Sequence, residues 1–437
     1  MATFLCELAW TGGDDVAADV LVATEGDRIA AIDPLASTVP AGTVRLAGLT
    51  LPGLANGHSH AFHRLLRGRT HRGRGSFWTW RRQMYDVAAA LDPDRYHRLA
   101  RAVFAEMVLA GVTTVGEFHY VHHGPDGTPY DEPNAMGTAL IAAAADAGVR
   151  LTLLDTCYLH GGIGVAPDAT QRRFADRDAE AWAERAAGLA DGPGVRIGAA
   201  VHSVRAVDPV AIATVAAWAE ARGAPLHAHV SEQPAENEQC RAAYGRTPVE
   251  LLADHGALGE RFSAVHATHL TTGDITLLGD NRCSCCFCPT TERDLADGIG
   301  PAGALDDAGA RLTLGSDAHA VVDLLEEARA VELHERLATG ERGRFAPAAL
   351  LTMATADGHA ALGWPDAGRL VIGARADLVT IGADSVRTVR LGDDPLGMAV
   401  FAATATDVRH VVVDGRVVVR DGRHVAIDPV VELRSWP

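Results

Sequence analysis

From about residue 50 to 340, short apolar or β-branched runs alternate with amphipathic stretches of 10–15 residues, the pattern of repeated strand–helix units. Eight runs read as strands: 50–57, 112–118, 149–157, 195–202, 225–230, 262–267, 282–288 and 311–316. Between them, DRYHRLARAVFAEMVLAG, DPVAIATVAAWAEARG and DLLEEARAVELHERLA carry apolar residues at helical spacing, with Asp where an N-cap is wanted and Gly where a helix must stop. Eight such α/β units close a TIM (β/α)8 barrel.

The flanks follow another rhythm. Residues 1–49 and about 370–437 hold short strand patterns with turn signals, as in VVVDGRVVVRDGRHVAI, where Asp414-Gly415 marks a hairpin. The expected organisation is a small β-sandwich-like domain built from both termini, 1–49 plus 370–437, around a barrel at 50–369.

A chain of 437 residues with 48% hydrophobic content has room for a large core beside a smaller unit. The formal charge of -17 excludes nucleic acid as a general partner, because phosphate binding needs a basic face. No window reaches the ~20 apolar residues of a membrane span, and MATFLCELAW lacks the basic and apolar regions of a signal peptide; a cytoplasmic protein without membrane contact is expected. All 39 basic residues are arginine. Without lysine, Schiff-base catalysis, pyridoxal phosphate attachment, Walker-type phosphate loops and a carboxylated lysine bridging two metals are impossible. Seven of the arginines fall between Arg64 and Arg82, which reads as either a solvated basic loop or a site for a small anion. The seven cysteines, four of them crowded into CSCCFC (Cys283, Cys285, Cys286, Cys288), speak for reduced thiols over a disulfide framework. On an extended strand Cys283 and Cys285 face opposite to Cys286 and Cys288, so one ion cannot gather all four, and small buried residues are the expectation.

A TIM barrel places its active site at the carboxyl ends of the strands, and these ends are polar. His58 and His60 end the first strand, Glu117, His119 and Tyr120 the second, and His202 the fourth. His229 is on the fifth with Glu232 just beyond, His266 on the sixth, and Asp317 at the end of the eighth. His58 and His60 differ by two positions, so their side chains share one face of a strand and can meet one ion. His63 lies off that period and is a poorer ligand. Neutral imidazoles with a carboxylate suit zinc, and His58, His60, His229 and Asp317 form the expected cage. Iron and manganese share such ligands.

PGLANGHSH, HAHVSEQ, His266 and GSDAH resemble the amidohydrolase superfamily, specifically its deaminase-like branch. HSHAFHR, GSFWTWRRQMY, TTVGEFHYVHH, LHAHVSEQ, HATHL and CPTTERDLADGIG are similar, more narrowly, to the formimidoylglutamate deiminase family of bacterial histidine degradation. The resemblance covers about residues 50–330. It implies one zinc ion per chain on His58, His60, His229 and Asp317, with Glu232, His266 and Asp317 as catalytic residues, and a homodimer. It also implies that His63, Arg81, Tyr120, His202 and Arg205 bind a small anionic substrate with two carboxylates. Arg81 is chosen over Arg82 from the tryptophan spacing. His63 departs from the glutamine usual in that family, and only the last cysteine of CSCCFC is usual there. The activity implied is hydrolysis of N-formimidoyl-L-glutamate to N-formyl-L-glutamate and ammonia.

The residues agree with that chemistry. Metal-held water becomes available as hydroxide near neutral pH, Asp317 can take its proton, Glu232 can carry one to the departing nitrogen, and His266 can stabilise the charge that develops. Two other readings stay open: a deaminase acting on a purine, pterin or triazine ring, and a metal-binding barrel without catalysis. Paired arginines speak against the first, and Glu232, His266 and Asp317 against the second.

Overall fold

The computed structural model describes residues 2–34, 38–71, 75, 77–390, 392–434 and 436. In chain order its strands are β1 Ala2–Ala9, β2 Ala17–Glu25, β3 Arg28–Asp33, β4 Val44–Pro52, β5 Leu54–Ser59, β6 Val112–His119, β7 Arg150–Cys157 and β8 Val195–Val201. They continue with β9 Leu226–Val230, β10 Phe262–His266, β11 Ser284–Phe287, β12 Arg311–Leu314, β13 Leu378–Ile381, β14 Val408–Val413, β15 Arg416–Arg420 and β16 Arg423–His424.

Strands β5 to β12 lie side by side in sequence order, all parallel. Every residue of β6 and β7 is buried, as a parallel strand covered on both faces requires. The ring closes at its carboxyl end, where the His58 carbonyl accepts from Ser316 N at 3.1 Å and Asp317 N at 3.0 Å, and His60 N donates to the Asp317 carbonyl at 3.3 Å. This is the TIM barrel expected from the alternation. The three helical patterns fold as Pro93–Leu109, Pro209–Arg222 and Leu324–Thr339. Asp92, Asp208 and Asp323 cap them by accepting from first-turn amides, and Gly223 and Gly340 end the last two in the left-handed conformation.

The other sheet takes strands from both ends of the chain, in the order β16-β15-β14-β13-β4-β1-β2-β3, around its own apolar cluster of Phe4, Val20, Val22, Leu46, Leu378 and Val412. Asp414 (φ 49) and Gly415 (φ 76) make the β14–β15 turn, the pair of positive φ values that lets a two-residue hairpin follow strand twist.

The expected strand at 50–57 divides in two. Thr50, Leu51 and Pro52 belong to β4 and pair with β13, and the barrel strand starts at Leu54. Between them Gly53 passes so close to β6 that a Cβ there would stand 2.2 Å from Thr113 Oγ1. A second tie between the sheets is ionic: the buried Arg150 of β7 donates to Asp377 Oδ1 at 2.9 Å, Asp414 Oδ1 at 2.8 Å and Thr114 Oγ1 at 2.9 Å. Among the described residues no helix is long and apolar enough to cross a membrane.

Candidate metal centre and active site

At the open end of the barrel, β5, β9 and the segment after β12 bring four side chains to one point. His58 Nε2 and His60 Nε2 stand 3.2 and 3.3 Å from His229 Nε2, and 3.3 and 3.5 Å from Asp317 Oδ1. His63 is outside this set: it lies on the short 3-10 helix Ala61–Leu66, with Nε2 3.0 Å from Tyr120 Oη.

The donor chemistry of these four fits a cation. His60 Nδ1 is 2.9 Å from the Phe118 carbonyl, and His229 Nδ1 is 2.8 Å from the His202 carbonyl. A carbonyl only accepts, so both rings carry their hydrogen on Nδ1 and aim the Nε2 lone pair inward. Burial keeps them neutral, lowering His60 to about 3 and His229 well below the ordinary histidine value. Two lone pairs 3.3 Å apart with no hydrogen between them repel, and a positive ion among them turns that repulsion into coordination. Asp317 supplies the anion. Burial opposes its charge, but the hydrogen bond to His58 and the neighbouring histidines hold its carboxyl below the usual range.

His266 and Glu232 complete the mouth. His266 Nε2 is 3.7 Å from Glu232 Oε1 and 3.9 Å from Asp317 Oδ2, while Nδ1 is 3.4 Å from Glu292 Oε1. Burial would lower His266, yet Glu232 and Glu292 on either side raise it to about 10. The backbone here is unusual: Ser231, His266, Ala267, Asp317 and His319 all have positive φ, from 39 to 69°. Each such non-glycine residue stores about 1–3 kcal/mol, so the surrounding packing dictates where these side chains point. Gly315 gives the closest approach: a Cβ there would stand 2.8 Å from that of His58.

A cavity of about 600 Å³ opens from this point, a size for a small molecule. His63, Arg81, Tyr120, His202 and Arg205 line it together with His60, His229, Glu232, His266 and Asp317; His58 lies behind them, fully buried. Arg82 is exposed and does not line it. Arg81 comes from helix Phe77–Ala89; its Nε donates to Tyr85 Oη at 2.5 Å, and its guanidinium lies 5.3 Å from the Tyr85 ring centroid and 5.6 Å from that of Trp78. Arg205 pairs with Glu232 at 3.5 Å and with the buried Glu236 at 3.3 Å. Elsewhere in the arginine-rich stretch, Arg64 and Arg67 share Glu106 at 2.7 and 2.6 Å, Arg69 is exposed, and Arg72 and Arg74 lie outside the described residues.

Some of the polar strand ends do not reach the cavity. His119 turns outward, its ring 4.8 Å from that of His122, and these two with Asp155 make a second cluster of ligand atoms. Arg185 already serves as its cation, donating to both Asp155 oxygens at 2.9 and 3.0 Å and to Asp176 at 2.8 Å. All seven cysteines are free and buried. Cys283 and Cys285 pack in the large core, and Cys286 and Cys288 pack with Val265, so the run divides between two faces. The cavity also has two walls, Tyr85 and Tyr158, and three groups behind its lining, Gln171, Glu236 and Glu292, that the sequence motifs do not mark. Tyr158 directly follows β7, where the rule that found the histidines would have found it. Tyr85 is one turn after Arg81. Gln171, which donates to the Tyr85 and Tyr158 hydroxyls at 3.0 and 2.9 Å, comes from a connection with no sequence signal. Glu292 and Glu236 lie on helices after the strands.

The profile of the amidohydrolase family matches residues 49–418. The chain is 39% identical over 398 residues to formimidoylglutamate deiminase of Pseudomonas aeruginosa, spanning 88% of this chain and 87% of that protein. It is 31% identical over 418 residues to a 5-methylthioadenosine/S-adenosylhomocysteine deaminase of Halobacterium salinarum, spanning 94% and 90%. Its fold superposes on the crystal structure of an amidohydrolase from Brucella melitensis with a TM-score of 0.91 at 33% identity, over 99% of this chain and 98% of that one.

Proposed function

The chain belongs to the amidohydrolase family, a hydrolase of the deaminase type, and from that premise we propose that it hydrolyses N-formimidoyl-L-glutamate to N-formyl-L-glutamate and ammonia. The observation that carries the reading is that Arg81 and Arg205 line the same cavity as the metal-fitting donor set. A substrate with two carboxylates needs two cationic partners where water is scarce, whereas a neutral ring has no use for them. The similarity to a formimidoylglutamate deiminase over most of both chains supports the same choice.

In this reading His58, His60, His229 and Asp317 hold one zinc ion. When bound, the ion supplies Lewis acidity, which makes water acidic enough to attack near neutral pH. Asp317 accepts a proton from the attacking water. The amidine carbon then carries the new oxygen, and His266 stabilises the charge that develops beside it. Glu232, between His266 and Arg205, passes one proton of that water to the amidine nitrogen, Asp317 returns the other as the bond to carbon breaks, and ammonia leaves. Arg81 and Arg205 pair the carboxylates, and Tyr120, His202 and His63 present polar edges to the rest of the substrate. A single ion is part of this reading: without lysine there is no carboxylated lysine to bridge a second, and an Asp or Glu would have to do so.

The second reading, a ring deaminase, draws on the aromatic walls Tyr85, Tyr158 and Phe174 and on the similarity to a methylthioadenosine deaminase. Product analysis tests the choice. Incubation with formimidoylglutamate should give ammonia and N-formylglutamate in equal amounts; formamide with free glutamate, or no reaction, defeats the proposal.

A further inference from the structure

The two segments that carry the metal-fitting side chains are joined on their buried side by a chain of hydrogen bonds that the reaction itself does not use. Ser59, between His58 and His60, donates to Glu117 Oε2 at 2.6 Å, and its Oγ is 3.2 Å from His319 Nε2. His319 Nδ1 is 3.0 Å from Ser316 Oγ, which accepts from Asn56 Nδ2 at 2.7 Å. Asn56 Oδ1 accepts from Ser316 N at 2.9 Å. Glu117 Oε1 accepts from Ala61 N at 2.7 Å, and Arg67 Nε donates to the His319 carbonyl at 2.6 Å. Asn56, Ser59, Glu117, Ser316 and His319 are all fully buried.

The ends of this chain fix its direction. Burial pushes the Glu117 carboxyl up to about 8, but the Asn56 amide, whose oxygen is taken by Ser316 N, can only donate at the other end, so Ser59 gives its hydrogen to Glu117 and its oxygen takes one from His319 Nε2–H. His319 Nδ1 is thereby left as an acceptor for the Ser316 hydroxyl, whose oxygen takes the Asn56 amide hydrogen. Every group in the line has one role, and reversing any member strands a buried donor or acceptor. Glu117 also draws the Ala61 amide, which sets the turn immediately after His60. His319 meanwhile holds the loop two residues after Asp317 in its left-handed conformation.

We propose that Glu117 is a positioning residue for the metal centre: through Ser59 and His319 it sets a one-way hydrogen-bond chain that locks the His58–His60 and Asp317 segments at ligand distance. The inference rests on the metal centre assigned above. Groups behind a ligand that orient it are worth about 10–100-fold in metal affinity.

The test uses the full chain stripped of metal, with zinc affinity read by competition against a fluorescent chelator and no turnover involved. Ser59→Ala and Glu117→Ala should each weaken zinc about 10–100-fold. Glu117→Gln should lose less, because its oxygen still accepts from Ala61 and its amide can donate to Ser59. That rescue has a signature that mere support of the fold would not give. In 15N-histidine spectra, with the His319 signals identified by their loss in His319→Gln, the wild type should show the Nε2–H tautomer and Glu117→Gln the Nδ1–H tautomer. Should Glu117→Ala fail to fold, Ser59→Ala carries the affinity test alone. Wild-type protein that takes up no zinc overturns the centre and this inference with it. Zinc affinities within twofold of wild type in Ser59→Ala, or an Nδ1–H His319 in the wild type, overturn the inference and leave the centre standing.

Discussion

Replacing Arg81 by Met separates a carboxylate partner from a generally basic surface. The substitution keeps most of the apolar stem and removes the guanidinium, whose Nε is held by Tyr85 while the head faces the cavity. A charge-assisted hydrogen bond to a carboxylate is worth about 1.5–3 kcal/mol, which at 1.36 kcal/mol per decade is a loss of about 10- to 150-fold in kcat/KM. The assay is ammonia release from formimidoylglutamate at substrate concentrations spanning KM, with metal content measured on the same samples. Arg82→Met is the control, because Arg82 is exposed and outside the cavity; it should match the wild type. Formimidoyl derivatives of monocarboxylic amino acids should be poor substrates, and should lose less on Arg81→Met if the missing carboxylate is the one Arg81 pairs. An Arg81→Met enzyme within twofold of wild type, or an equal loss in Arg82→Met, refutes the assignment.

Arg205→Met should cost both activity and stability, because it strips the buried Glu236 of its cation, a loss of about 3–5 kcal/mol for a broken buried pair; adding Glu236→Gln should recover the melting temperature but not kcat/KM. Glu232→Gln should keep the metal and lower kcat by about 10²–10⁴-fold, and metal loss in that variant would make Glu232 a ligand. Elemental analysis of protein purified without added metal should give one ion per chain, and His229→Ala should lose most of it; a reproducible ratio of two ions contradicts the single site. Arg150→Met should lower unfolding free energy by about 3–5 kcal/mol in chemical denaturation, since it leaves Asp377 buried without its partner.

What could be read in the sequence followed period and position. His58 and His60 share a face because a strand repeats every two residues, and the turn at Ala61 sends His63 to Tyr120 instead. The Asp and Gly ends of the long helices were legible because capping is local. The split at Gly53 was hidden: Leu51 and Leu54 are equally apolar, and only pairing with β13 or β6 tells them apart. Arg81 and Arg82 differ by about 100° around one helix, so the arginine run could not say which faces inward until the helix had a neighbour. Glu292, Glu236 and Glu117 gain their roles from partners far away in sequence, His266, Arg205 and Ser59, which no local pattern encodes.

The most direct test of the central claim is a competition in one vessel, with formimidoylglutamate and 5-methylthioadenosine at equal concentrations and both products followed over the first turnovers. N-formylglutamate should accumulate while the purine is untouched. Deamination of the purine ahead of formimidoylglutamate would contradict that claim.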